Sequence, residues 1–87
     1  MGKYRILFRK SVAVDLRPIP NPDVRKILTV IESLSEEPRS PETEKLSGHY
    51  RYRIRQGNYR IVYEIDDREA IVVVVRIGHR RDVYRRI

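Results

Sequence analysis

Tyr50–Arg60 reads YRYRIRQGNYR, and its punctuation decides how the C-terminal half folds. Gly57-Asn58 separates two runs rich in Tyr, Ile and Val, the signal for a two-residue β-hairpin loop. Successive strand residues point to opposite sides, so Arg51, Arg53 and Arg55 share one face and Tyr50, Tyr52 and Ile54 the other. With Gly57 and Asn58 as the loop, Arg55 is expected across from Arg60, Arg53 from Val62 and Arg51 from Glu64. The second face then pairs Ile54 with Ile61, Tyr52 with Tyr63 and Tyr50 with Ile65. Like charges directly opposite one another destabilise a sheet. One reading is that long arginines splay into water. The other, favoured for the group as a whole, is a face built to hold an anion, with phosphate the expected one.

Working outward, the 87 residues make one small domain, with 19 Lys+Arg against 12 Asp+Glu and a net charge of +7. That excess points toward nucleic acid or an acidic protein partner. The chain has no cysteine, which excludes disulfides, thiolate metal sites and a cysteine nucleophile and fits a reducing cytoplasm. No apolar stretch approaches the length that spans a bilayer.

Before the hairpin, Lys3–Phe8 alternates as a first strand. A short helix is expected next, with Ser11 as its cap, closed by Pro18 and Pro20. Asn21 is the expected cap of a second helix, with Pro22 in its first turn. Val24, Ile27, Leu28, Ile31 and Leu34 form its apolar stripe, and it stops before Pro38. Leu46 is the expected anchor of the polar loop that follows. After the hairpin, a turn at residues 66–69 leads to the apolar strand Ala70–Val75, and the tail from Gly78 reads as a loop or one helical turn. The order is β-α-α-β-β-β: an α+β domain with two N-terminal helices packed on one face of a curved, mostly antiparallel sheet. The arginine face of the hairpin is expected on the uncovered side.

Taken with Leu46-Ser47-Gly48 and the Gly78–Tyr84 tail, the hairpin resembles that of the RelE/ParE superfamily of bacterial and archaeal toxins, and of its RelE branch most closely. The resemblance spans the chain in element order and is most specific from Leu46 to Tyr84. It implies a single toxin domain over residues 1–87 with the RelE-like microbial RNase fold. It also implies a cytoplasmic, ribosome-dependent, metal-independent endoribonuclease that needs no cofactor and cuts messenger RNA in the A site. The implied partners are a cognate antitoxin, the ribosome and mRNA, with operator DNA reached only through the antitoxin complex and no membrane. The two basic residues of the RelE strand before the turn fall on Arg51 and Arg53, where RelE enzymes use lysine. The arginine after the turn falls on Arg60 of the Tyr59-Arg60 pair, the one after the last strand on Arg80, and the C-terminal tyrosine on Tyr84.

The implied reaction is attack of a ribose 2′-OH on the adjacent phosphate, leaving a 2′,3′-cyclic phosphate and a 5′-hydroxyl. Guanidinium forks at Arg60 and Arg80 suit the phosphoryl oxygens. Arg51, Arg53 and Arg55 suit the RNA backbone, and Tyr84 suits a base-stacking or proton-accepting role. Arginine stays protonated and is a poor acid, so Arg53 does not inherit a lysine's proton-donating role directly. His79 is the expected replacement, by virtue of its intrinsic pKa near neutrality; as a plain reading it is a solvent-facing loop residue. Two other functions fit the same resemblance: a ParE-like inhibitor of DNA gyrase, and a non-catalytic toxin relative kept as a binding module.

Overall fold

The computed structural model describes residues 3–46 and 50–79. At its centre β3 (Arg51–Gln56) and β4 (Tyr59–Asp66) pair antiparallel in the expected register, from Arg51 opposite Glu64 to Arg55 opposite Arg60. The loop between them needs glycine first, because Gly57 takes φ +59°, a conformation that costs other residues about 1 kcal/mol or more. β5 (Ile71–His79) pairs antiparallel with β4 along its whole length. It therefore runs past the apolar stretch into Gly78 and His79, which the sequence pattern assigned to the tail.

β1 (Arg5–Phe8) lies parallel to β5 at one edge, and β2 (Thr43–Lys45) lies antiparallel to β3 at the other. The sheet order is β1-β5-β4-β3-β2. The short β2 is an addition to the expected order: three polar residues give no apolar signal, and the ladder to β3 alone makes them a strand.

α1 (Lys10–Leu16) starts with Arg9, not Ser11, as its cap, and α2 (Asn21–Ser33) follows Pro20. Asn21 is thus inside the helix, and the extended backbone of Pro20 sets its start. Both helices face the same side of the sheet. Val12 of α1, Ile27 and Ile31 of α2, and the following Leu34 pack on Ile54, Ile61, Tyr63, Val72, Val74 and Ile77. Complete burial of side chains this size contributes about 1.5–3 kcal/mol each. Leu28, read from the sequence as part of the stripe, is 41% exposed. Tyr50 departs further: it does not pair with Ile65 and stands 89% exposed.

Val62 of β4 faces Arg76 of β5, but the next pair is Tyr63 with Val74, so Val75 is an extra residue, a β-bulge. Such a bulge reverses the side to which later residues point. Val75 itself packs with Val62 on the side away from the helices, together with Val73 and Leu46, and the reversal returns Ile77 to the main core. Leu46 does anchor its loop as expected, but on this second, smaller cluster. The arginine side is therefore only partly open.

Candidate functional site

The alternation of β3 puts Arg51, Arg53 and Arg55 on the side away from the helices, and the hairpin register adds Arg60 and Glu64. Four guanidiniums thus share one face, as the sequence pattern requires. Their neighbours explain how the like charges are tolerated. Arg51 Nε donates to Glu64 Oε2 at 2.9 Å, the cross-strand ion pair expected from the register. Arg53 donates through Nε (3.1 Å) and Nη2 to Glu44 Oε2 of β2. Arg60, directly opposite Arg55, turns its Nη1 onto the backbone carbonyls of Tyr59 (3.1 Å) and Gly57 (3.4 Å). A guanidinium carries five donors in a planar fork, the geometry that matches the oxygens of an anion. Arg55 is exposed and lines a depression with Pro41, Glu42, Thr43 and Glu44.

Two residues that the sequence did not single out complete the face. Glu44 does so because β2 exists, and Arg9 because the turn from β1 into α1 brings its Nη2 to 3.7 Å from Glu64 Oε1. Cation and carboxylate therefore alternate: Arg9, Glu64, Arg51 along one edge, and Arg53 with Glu44 beside them. No isolated motif marks Arg9, and only the parallel β1–β5 pairing gives it this position.

His79 is not brought to this face. It pairs with Tyr59 and meets that ring edge-on at 6.1 Å, and Tyr59 packs on the main core. The bulge at Val75 is the cause. His79 instead lines a cavity of about 570 Å³ on the helix side, with Asp15, Arg17, Tyr59, Arg76 and Ile77 among its walls. There the Asp15 Oδ2 accepts the Ile77 N–H at 3.0 Å, covering the strand edge that β1 leaves open beyond Val74. Arg76 Nη1 lies 4.0 Å from Asp15 Oδ1. Arg80 and Tyr84 lie outside the described residues. Among the described residues no group of three or more His, Cys, Asp and Glu side chains converges as metal ligands.

A polar clamp steadies the other end of the sheet. Arg39 grips Asp67 with two hydrogen bonds (3.0 and 2.9 Å) and donates from Nε to Tyr52 Oη at 3.1 Å. Tyr4 Oη donates to Asp67 Oδ1 at 2.8 Å. The Arg39 guanidinium, and then the Tyr4 hydroxyl, hold the Asp67 carboxyl below its ordinary range. Beneath them the Tyr52 and Tyr63 rings stack at 5.9 Å, and Tyr63 Oη donates to the Pro38 carbonyl at 2.6 Å. Burial pushes the Tyr63 phenol up to about 12.

The family model for the ParE toxin of type II toxin-antitoxin systems (parDE) matches residues 8–84. The toxin RelG of Mycobacterium tuberculosis is 36% identical, over 95% of this chain and 98% of its own. The chain belongs to the RelE/ParE toxin family. Solved RelE structures share its architecture. The archaeal RelE–RelB complex from Pyrococcus horikoshii aligns with a TM-score of 0.80 and 26% identity, covering 93% of this chain and 99% of that one. The RelBE2 complex of M. tuberculosis also gives 0.80, at 28% identity, over 88% and 98% of the two chains. The described residues of this RelE-family toxin of a type II toxin-antitoxin system thus form two helices on a five-stranded mixed sheet, and include no helix long and apolar enough to cross a membrane.

Proposed function

We propose that this RelE-family toxin is a ribosome-dependent endoribonuclease that cuts mRNA in the A site and so inhibits translation. The reading is carried by one observation: Arg51, Arg53, Arg55 and Arg60 share a face, with carboxylates fixing the forks of Arg51 and Arg53 and backbone carbonyls that of Arg60. In the reaction, the 2′-oxygen of one ribose attacks the adjacent phosphorus and the bond to the 5′-oxygen breaks. Products are a 2′,3′-cyclic phosphate and a 5′-hydroxyl, and requiring the 2′-OH restricts the substrate to RNA. Arg60, with Arg80, stabilises the charge on the phosphoryl oxygens. Arg51 and Arg55 hold the flanking backbone in line. Arg53 steadies charge on the leaving 5′-oxygen without giving up a proton, and that oxygen takes its proton from water. Tyr84 accepts the proton of the 2′-OH. His79, beside Tyr59 on the helix side, has no part in this scheme.

The partners on this reading are the ribosome, mRNA and a cognate antitoxin that covers the basic face, as a complex of the kind that the solved RelE–RelB pairs form. Operator DNA is reached only through that complex, and the site of action is the cytoplasm.

Inducing wild type beside Arg60→Ala and Arg80→Ala, with growth followed and message ends mapped by primer extension, tests the proposal. Wild type should arrest growth and cut within codons only while translation runs. Each variant should lose about 100-fold or more of the cleavage, as removal of one charge-stabilising donor typically does. Equal toxicity in all three, or DNA breaks trapped on gyrase with messages intact, would sink it.

A further inference from the structure

At the end of β3 away from the hairpin loop, Tyr50, Glu64, Ile65, Asp66 and Val73 line an open depression of about 410 Å³. Among the described residues Tyr50 is the most exposed of the large hydrophobic side chains that stand out to solvent, at 89%, against 41–55% for the others. A ring so bare gains nothing from packing, yet it borders the basic face. Arg51 follows it directly in the chain, and Glu64, on the depression's wall, holds both Arg51 and Arg9. Val73 gives the wall an apolar part, backed by Val62 and Val75. An aromatic plane, an apolar wall and two adjoining guanidiniums match an unpaired nucleotide: base on ring, phosphate on cations.

We propose that this depression is a subsite for one unpaired nucleobase of the RNA strand, with Tyr50 as its stacking platform and Arg9 and Arg51 gripping the adjoining phosphodiester. The inference rests on the ribonuclease reading and extends it. Tyr50 lies five residues from Arg55, about 16 Å along an extended strand. The subsite is therefore well removed from the Arg55–Arg60 end of the face, and with it marks a path for the RNA along β3. Stacking tolerates any base, so the subsite contributes affinity and register more than sequence choice.

The test is binding of a short single-stranded RNA with 2′-O-methyl riboses, which cannot be cut, to the full chain at low ionic strength, followed by fluorescence anisotropy. Tyr50→Ala should weaken binding about 5- to 150-fold, while Tyr50→Trp keeps it. Arg9→Gln should weaken it and flatten its salt dependence. A scan of single abasic positions should find one at which wild type and Tyr50→Ala bind alike. Since Tyr50 is exposed, its variants should melt with the wild type, which separates lost binding from lost folding. If Tyr50→Ala binds as wild type while Arg60→Ala does not, the subsite is refuted and the ribonuclease reading stands. Absence of RNA binding by the wild type, together with absence of message cleavage on induction, overturns both.

Discussion

Glu64 stands directly across β3 and β4 from Arg51, accepts its Nε–H at 2.9 Å, and keeps a second guanidinium, that of Arg9, within 3.7 Å. One carboxylate thus fixes two cations while cancelling part of their charge. Glu64→Gln should tighten single-stranded RNA binding several-fold at low salt, because it removes a negative charge beside the phosphates. Stability should change by less than about 1 kcal/mol, since the pair is partly exposed. Anisotropy at two salt concentrations and urea melts check both halves, and weaker binding would overturn the first.

The Asp15–Arg76 pair should behave differently, because both side chains are largely covered, at 7% and 15% exposure. Asp15→Ala strands the Arg76 charge, whose Nε is already buried without a hydrogen-bond partner, and deprives the Ile77 N–H of its acceptor. The expected cost is about 3 kcal/mol. Asp15→Asn keeps an acceptor and should cost clearly less, and adding Arg76→Met to Asp15→Ala should restore part of the loss. Chemical denaturation of the three proteins measures it.

Tyr63 predicts the alkaline limit of the fold. Its phenol titrates near 12 when folded and near 10 when unfolded. The folded value is the higher, so its contribution is whole below pH about 10 and is lost as pH rises toward 12. Tyr63→Phe should lose about 1–2 kcal/mol at neutral pH through the stranded Pro38 carbonyl. It should also show a shallower fall in melting temperature above pH about 10.

Asp67 sets the opposite limit. Its folded pKa is depressed by Arg39, so the clamp stabilises above the unfolded carboxylate value, about 3.9, and fades as pH falls through the lower folded one. Asp67→Asn should melt below wild type at neutral pH, with the gap closing in acid. A gap that stays constant with pH would rule out the charged clamp as its source.

Much of this was legible in the sequence for a physical reason. Gly57-Asn58 fixes the hairpin register, and register fixes which arginines share a face; Arg51 with Glu64 and Arg55 with Arg60 follow from counting alone. What stayed hidden depends on contacts distant in the chain. β2 becomes a strand only because β3 offers it a ladder, so the hold of Glu44 on Arg53 could not be counted out. Arg9 joins the face through a parallel pairing between the two ends of the described chain. Tyr50 looked like core because alternation was carried one residue beyond the first paired position of β3.

Val75 has the widest reach of any single position. Had β5 kept strict two-residue parity from Val72 and Val74, Ile77 and His79 would emerge among the arginines. One inserted residue thus acts as a phase switch. It separates an imidazole from a cationic surface only one strand away, and a chain lacking that residue would keep the same two sides by plain alternation.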